Sequence, residues 1–263
     1  MPIGRMKQKL VSGEIVVGSW LTFPDCGVAE IMARAGFDWL TVDMEHSAID
    51  LGQAQELIRV ISLCEIAALV RLPANDAALA KRVMDAGASG VIVPMVNSAD
   101  EARAAVAAVK YPPAGRRSVG LARAQGYGTQ FEDYVGTANE RSLVIVQVEH
   151  IEAVKNLEAI LGVSGVDALM VGPYDLTGSM GIPGQFDRPE VAEALARILA
   201  VSRALNVPAG MHVVQPSHEE VLERAAQGFR LIAYSVDFLL LGQACRSGVS
   251  DIRRRLEDGD VKG

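Results

Sequence analysis

Four short apolar runs in this chain each end on a reactive polar residue. They are Leu40-Thr41-Val42-Asp43-Met44-Glu45-His46, Ala67-Ala68-Leu69-Val70-Arg71, Leu143-Val144-Ile145-Val146-Gln147-Val148-Glu149 and Ala168-Leu169-Met170-Val171-Gly172-Pro173-Tyr174-Asp175. The runs are near-continuous rather than alternating, as parallel strands covered on both faces require. Counting runs of this kind gives eight candidate strands, at 15–20, 39–45, 66–71, 90–95, 143–149, 168–172, 208–213 and 231–236. Amphipathic or Ala-rich segments lie between most of them, among them 76–86, 98–110, 151–161, 188–205 and 217–227. Gly36, Gly87, Gly165 and Gly228 each stand between a helical stretch and the next run. Glycine there relieves the left-handed turn that closes a helix. Eight strands alternating with helices predict an α/β chain folded as a (β/α)8 TIM barrel, with a doubly wound open sheet as the alternative. In a barrel all strand carboxyl ends share one face, where the active site is built.

At 263 residues with no composition shift, the chain reads as one domain spanning 1–263. Half of the residues are hydrophobic, enough for a large core, and the net charge is −7. Basic residues cluster only at Arg253-Arg254-Arg255, which argues against a nucleic-acid partner. Cys26, Cys64 and Cys245 are scattered, giving neither a disulfide framework nor a thiolate zinc site, and fit a reducing compartment. Met1 to Gly18 has no sustained apolar stretch, and no run approaches the roughly 18 apolar residues of a membrane span. A cytoplasmic protein with no membrane partner is expected. A phosphate-cradling GxxxxGK[ST] loop, a GxGxxG after strand one and a GxSxG elbow are all absent. Lys7, Lys9, Lys81, Lys110, Lys155 and Lys262 fall in tails or helical stretches, so Schiff-base chemistry has no strand-end lysine to use.

Glu149 and Asp175 end neighbouring strands and lie 26 positions apart, one strand–helix–strand unit. Two carboxylates brought together repel unless a proton or a cation relieves them, and hard oxygen donors favour Mg²⁺, Mn²⁺ or a similar ion. Taken singly, Glu149 could instead cap the helix beginning near Ile151 and Asp175 could make a turn. Arg71 precedes Leu72-Pro73, so its guanidinium leaves the barrel mouth to stabilise an enolate oxygen or to pair with an acid. His46 follows Asp43 by three positions, a spacing for an oriented imidazole base. Asp85, near a helix end, and Glu45, beside the base, read as structural.

These segments together resemble the HpcH/HpaI aldolase family of metal-dependent pyruvate aldolases. The likeness runs through Ala35-Gly36-Phe37-Asp38-Trp39, Asp43-Met44-Glu45-His46, Val70-Arg71-Leu72-Pro73, Val93-Pro94-Met95-Val96, Tyr111-Pro112-Pro113-Ala114-Gly115-Arg116, Gln147-Val148-Glu149 and Gly172-Pro173-Tyr174-Asp175-Leu176. The resemblance implies one divalent ion per subunit (Mg²⁺, Mn²⁺ or Co²⁺) held by Glu149 and Asp175. It implies Arg71 on the pyruvyl oxygen and His46, oriented by Asp43, as the acid/base group. Asp85 would assist, often from a neighbouring subunit, and Arg123 would meet the aldehyde's polar tail. Gln147 and the backbone of Gly172, Pro173, Tyr174 and Asp175 would bind the 2-oxo acid, although Pro173 has no N–H to give. Trp20 and His212, ending strands one and seven, would line the same mouth, which Tyr174 and Tyr127 would narrow or polarise. The resemblance further implies a homo-hexamer built as a trimer of dimers, with residues 236–263 as a helix swapped between subunits. The implied partners are a small 2-oxo acid and an aldehyde, joined or cleaved as a 4-hydroxy-2-oxo acid. Two other functions are weighed against this one. A malyl- or citramalyl-CoA-type lyase would need a cationic groove for CoA. A catalytically silent barrel would bind a 2-oxo acid without activating it.

Overall fold

The computed structural model describes residues 2–258; Met1, Lys262 and the end of the 236–263 tail lie outside the described residues. Eight parallel strands close on themselves in sequence order: β1 Val16–Leu21, β2 Trp39–Asp43, β3 Ala67–Arg71, β4 Gly90–Val93, β5 Leu143–Val148, β6 Ala168–Val171, β7 Ala209–Val213 and β8 Leu231–Val236. The helices around them are α1 Pro2–Val11, α2 Cys26–Ala33, α3 Leu51–Leu63, α4 Ala77–Asp85, α5 Ala99–Val109, α6 Phe131–Arg141, α7 Ile151–Lys155, α8 Leu157–Leu161, α9 Pro173–Ser179, α10 Pro189–Leu205, α11 His218–Gln227 and α12 Asp237–Glu257. The closed barrel is the expected architecture, and closure excludes the open sheet. No helix among the described residues is long and apolar enough to cross a membrane.

The four glycines singled out above have φ values of +97° to +120°, the left-handed closure that an L side chain resists. Three expected elements differ by more than one residue, and one of them is the run at 90–95, which stops at Val93. The run at 39–45 stops at Asp43, because Asp43 Oδ1 accepts the N–H groups of Glu45 and His46 and turns the chain out of the sheet. The helix at 151–161 is two short helices meeting at Asn156, and His150, not Glu149, caps the first: its Nδ1 accepts the Glu152 N–H at 3.1 Å. The long connection after β4 carries α6 and a 3-10 turn at Arg123–Gly128.

Strand residues alternate between two cores. Outward-facing Leu40, Val42, Ala68, Val70, Val144, Val146, Leu169 and Val171 pack under the helices. Inward-facing Val16, Trp39, Ala67, Leu69, Ile92, Leu143, Ile145, Ala168, Met170, Leu231 and Ala233 fill the barrel, with Met6 and Leu10 of α1 joining them from below. The amino-terminal end is thus closed by apolar packing. The same alternation, carried one step further, turns the last inward positions of the strands into the carboxyl-end mouth.

One glycine permits this filling. A Cβ on Gly18 would lie 2.0 Å from the Trp39 ring, which is fully buried. Gly18→Ala therefore forces the indole aside and is expected to cost about 1–3 kcal/mol, as overpacked cores do. Denaturant unfolding with an unchanged m-value checks it.

Candidate active site

The register of β2 and β3 places Asp43 beside Arg71, both pointing into the mouth. Arg71 donates from Nε to Asp43 Oδ1 at 2.9 Å and from Nη2 to Asp43 Oδ2 at 2.5 Å. This two-point fork leaves Nη1 as the guanidinium nitrogen without a partner among the described residues. Glu45 Oε2 lies 3.3 Å from the same Nε and 3.8 Å from Nε2 of His46, whose side chain is 62% exposed. The face of Arg71 rests on the Trp20 ring, 4.3 Å from its centroid, and Trp20 in turn meets His212 at 5.3 Å.

On the other side of the mouth, Glu149 sits just beyond β5 and is 3% exposed. Its Oε1 accepts the Met95 N–H at 2.7 Å, and its Oε2 accepts from Gln147 Nε2. Met95, after β4, is held at φ +52° to aim that N–H, a conformation costly for a residue with a Cβ. Gly172 leaves room for the carboxylate, since a Cβ there would lie 2.7 Å from Glu149 Oε2. Asp175 stands in the first turn of α9 and is exposed. Tyr174, 49% exposed, packs edge-on against Phe186 at 5.0 Å.

The electrostatics are lopsided. Burial pushes the Asp43 carboxyl up, but the Arg71 bond and charge, with the His46 and Glu45 N–H groups, outweigh it and hold Asp43 below its ordinary value. Glu45 is raised, first by burial and then by the charges of Asp43 and Asp175, against the pull of Arg71. Glu149 is raised as well, chiefly by burial, with Glu45 and Asp175 adding to it against the Met95 and Gln147 bonds. Three acids thus repel one another across a mouth where Arg71 is forked to a fourth, Asp43, and reaches only Glu45 of the three, at 3.3 Å.

These residues fit a divalent cation. The carboxylates of Glu149 and Asp175 have no cation within salt-bridge reach among the described residues, Glu45 has only a share of Arg71 at 3.3 Å, and the buried Glu45 Oε2 and Gln147 Oε1 have no hydrogen-bond partner. No group of three or more His, Cys, Asp or Glu is placed to ligate one ion among the described residues. The protein's donors would therefore be the two carboxylates of Glu149 and Asp175, the kind of site in which water and substrate complete the shell of a hard ion.

Several expected placements need correction. Asp43 does not orient the His46 ring; its oxygens go to Arg71 and to backbone N–H groups, and the carboxylate nearest the imidazole is that of Glu45. Glu45, read as structural, therefore belongs to the acid cluster. Trp20 is 2% exposed and lies behind Arg71 instead of lining the open mouth. The Gly172 N–H is bonded to Val148 O at 3.3 Å, so it is not free for a substrate carboxylate. Asp85 and Arg123 lie at the opposite end of the barrel, because α4 runs back down from the mouth and ends there. Asp85 pairs at 2.5 Å with Arg117, which is buried against Tyr111 and Tyr134, and Arg123 donates to Ala86 O at 3.0 Å. Tyr127 stands on the same 3-10 turn as Arg123. In sequence, the i, i+2 step from Asp43 could have signalled Glu45. The Met95 N–H and the Ser235 carbonyl that meets His212 carry no signal, being backbone groups aimed by the fold.

A closed (β/α)8 barrel with acids, an arginine and a histidine at its carboxyl end is the architecture of an enzyme acting on a small anionic substrate. A profile described as HpcH/HpaI aldolase/citrate lyase matches residues 17–244, and the chain belongs to that family. A hydroxypyruvate/pyruvate aldolase of Sagittula stellata is 39% identical over 247 residues, 93% of this chain and 96% of that protein. A 4-hydroxy-2-oxovalerate aldolase of Rhodococcus jostii is 39% identical over 243 residues, 92% and 93% of the two chains. The solved structure of an HpcH/HpaI aldolase/citrate lyase family protein from Burkholderia cenocepacia superposes with a TM-score of 0.90 at 35% identity, covering 95% of this chain and 99% of that one.

Two outcomes follow from this geometry. Gly172→Ala drives a methyl group into the Glu149 carboxylate and should lower turnover by on the order of a hundred-fold, as small misplacements do, while the thermal midpoint stays close to wild type. His212 is held neutral with its pKa lowered to about 4, chiefly by burial, against an ordinary value of 6.5. Between those two values the unfolded chain binds the proton and the folded chain does not, so stability falls on acidification from pH 6.5 to 4. Unfolding titrations across that window should show a shallower acid loss in His212→Leu.

Proposed function

We propose that this chain is a divalent-metal-dependent pyruvate aldolase that cleaves and forms 4-hydroxy-2-oxo acids, with pyruvate or a related 2-oxo acid and an aldehyde as the other pair. One observation supports the reading: Glu149 and Asp175 crowd without a counter-charge beside Glu45 and an arginine that keeps one donor nitrogen open. The names of the relatives from Sagittula stellata and Rhodococcus jostii point the same way.

When bound by Glu149 and Asp175, a divalent ion supplies Lewis-acid polarisation of the substrate's carbonyl. Arg71 directs Nη1 to the oxygen on which negative charge grows as the C3 proton leaves. Asp43 and Trp20 hold that guanidinium in place before substrate arrives, so no reorganisation is needed at the moment of reaction. His46 takes the proton, its Nε2 lying 3.8 Å from the Glu45 carboxylate. The resulting enolate adds to the aldehyde, and cleavage reverses the path. Gln147, fixed by Glu149, and the N–H groups of Tyr174 and Asp175 in the first turn of α9 bind the 2-oxo acid. Tyr174 lies at the side where the aldehyde enters.

Assembly belongs to the same proposal. α12 carries exposed Phe238, Leu241, Val249, Ile252 and Leu256, the surface for exchange between subunits of a hexamer. Asp85 and Arg123, remote from their own mouth, would serve a neighbour's site. Light scattering that gives a mass well below six chains overturns this part.

The test of the activity is deuterium exchange into the methyl group of pyruvate in D₂O, followed by proton NMR. Exchange should require Mg²⁺, Mn²⁺ or Co²⁺, stop with a chelator and fall to background in Glu149→Ala. Exchange that survives the chelator, or its absence with all three metals, overturns the proposal.

A further inference from the structure

We propose that His212 is a positioning residue for Arg71, acting through the Trp20 ring; the inference rests on the aldolase reading above. Arg71 is gripped along one edge, from Nε and Nη2, by Asp43. A fork held on one edge is free to pivot about that edge, and the plane that aims Nη1 is set by whatever lies against its face. That surface is the Trp20 ring, 4.3 Å away. Trp20 has no hydrogen bond of its own, for Nε1 is buried without a partner. It also stands where the pairing of β1 with β8 slips register, between Gly18 and Trp20. Its orientation therefore depends on packing, and the aromatic ring packed on it is His212, with centroids 5.3 Å apart and planes tilted by 40°.

His212 is fixed in its turn. Its Nε2 lies 3.2 Å from the Ser235 carbonyl oxygen, which only accepts, so Nε2 carries the proton and the tautomer is set. That carbonyl belongs to a serine held at φ +55°, and Ser19 Oγ, whose nearer acceptor is the Tyr234 carbonyl at 2.8 Å, lies 3.3 Å from it. Holding a non-glycine residue in the left-handed region has a cost, and such costs gather at sites where geometry matters. The contacts run from β8 through His212 on β7 and Trp20 on β1 to Arg71 on β3, bracing the face of a guanidinium that Asp43 holds only by its edge. An aliphatic residue at 212 would fill the space but would have no donor for Ser235.

The experiment combines two readouts on the Mg²⁺-loaded enzyme. The first is kcat and KM for pyruvate methyl exchange in wild type, His212→Leu and His212→Gln. The second is the affinity for oxalate, a planar enolate analogue, by calorimetry in wild type, His212→Leu, Arg71→Lys and the double variant. His212→Leu should weaken oxalate and raise KM about ten-fold with little change in thermal midpoint. His212→Gln, which keeps a donor for Ser235, should recover most of the loss. In the Arg71→Lys background the leucine should add less than two-fold, because residues acting as one unit are not additive. A ten-fold loss repeated in that background, or no loss in His212→Leu, overturns the proposal. Should leucine prevent folding, His212→Phe, a ring without a donor, enters the same cycle under the same decision. Failure of the aldolase reading would show separately, as no exchange in wild type, while the oxalate cycle still reports on the brace.

Discussion

One guanidinium faces four carboxylates at the barrel mouth, and the rest of the site is arranged around that imbalance. Asp43 takes both forked bonds of that arginine and leaves Glu45 a 3.3 Å approach to Nε, which is why the Asp43 carboxyl is held below its ordinary value although buried. Glu45 and Glu149 are left with a shortage of positive charge that burial makes worse, and the exposed Asp175 adds its negative charge to both. Water would relieve exposed acids of this kind; a carboxylate 3% exposed has little of it. The protein meets part of the need with fixed dipoles, the Met95 N–H and the Gln147 amide, both aimed at Glu149. What those dipoles leave unmet is the deficit that the proposed divalent ion would fill beside Arg71.

The fold was legible in the sequence because its signals are local. Near-continuous apolar runs of five to seven residues, separated by helical stretches that close on Gly36, Gly87, Gly165 and Gly228, leave few arrangements for eight strands. The polar residues at the carboxyl ends of these runs were legible for the same reason. Alternation within a strand carries Ala67 and Leu69 inward and so commits Arg71 to the same face.

The partners of those residues were not legible. Asp43 and His46 are three positions apart and look like a dyad, yet a β-strand neighbour outcompetes a sequence neighbour: Arg71, 28 positions away, reaches both Asp43 oxygens. Glu45 was passed over because the turn that brings it to Arg71 begins with Asp43 capturing backbone N–H groups, a contact with no composition signature. Asp85 and Arg123 fall at the far end because position along a helix decides which end of the barrel a residue reaches, whatever its chemistry. Residue type told which groups could do chemistry, and topology alone told which of them meet.

The pairing of Asp43 with Arg71 in register has a consequence for folding quality. Side chains on a strand alternate faces, so slipping β3 by one residue against β2 would turn Arg71 outward, into the apolar layer beneath the helices. A mispaired barrel could still bury most of its aliphatic residues, since valine and leucine are plentiful on both faces. It would bury a lone cation as well, at a cost no neighbouring acid could offset. The pairing thereby adds an energetic penalty to a closure of the barrel in the wrong register.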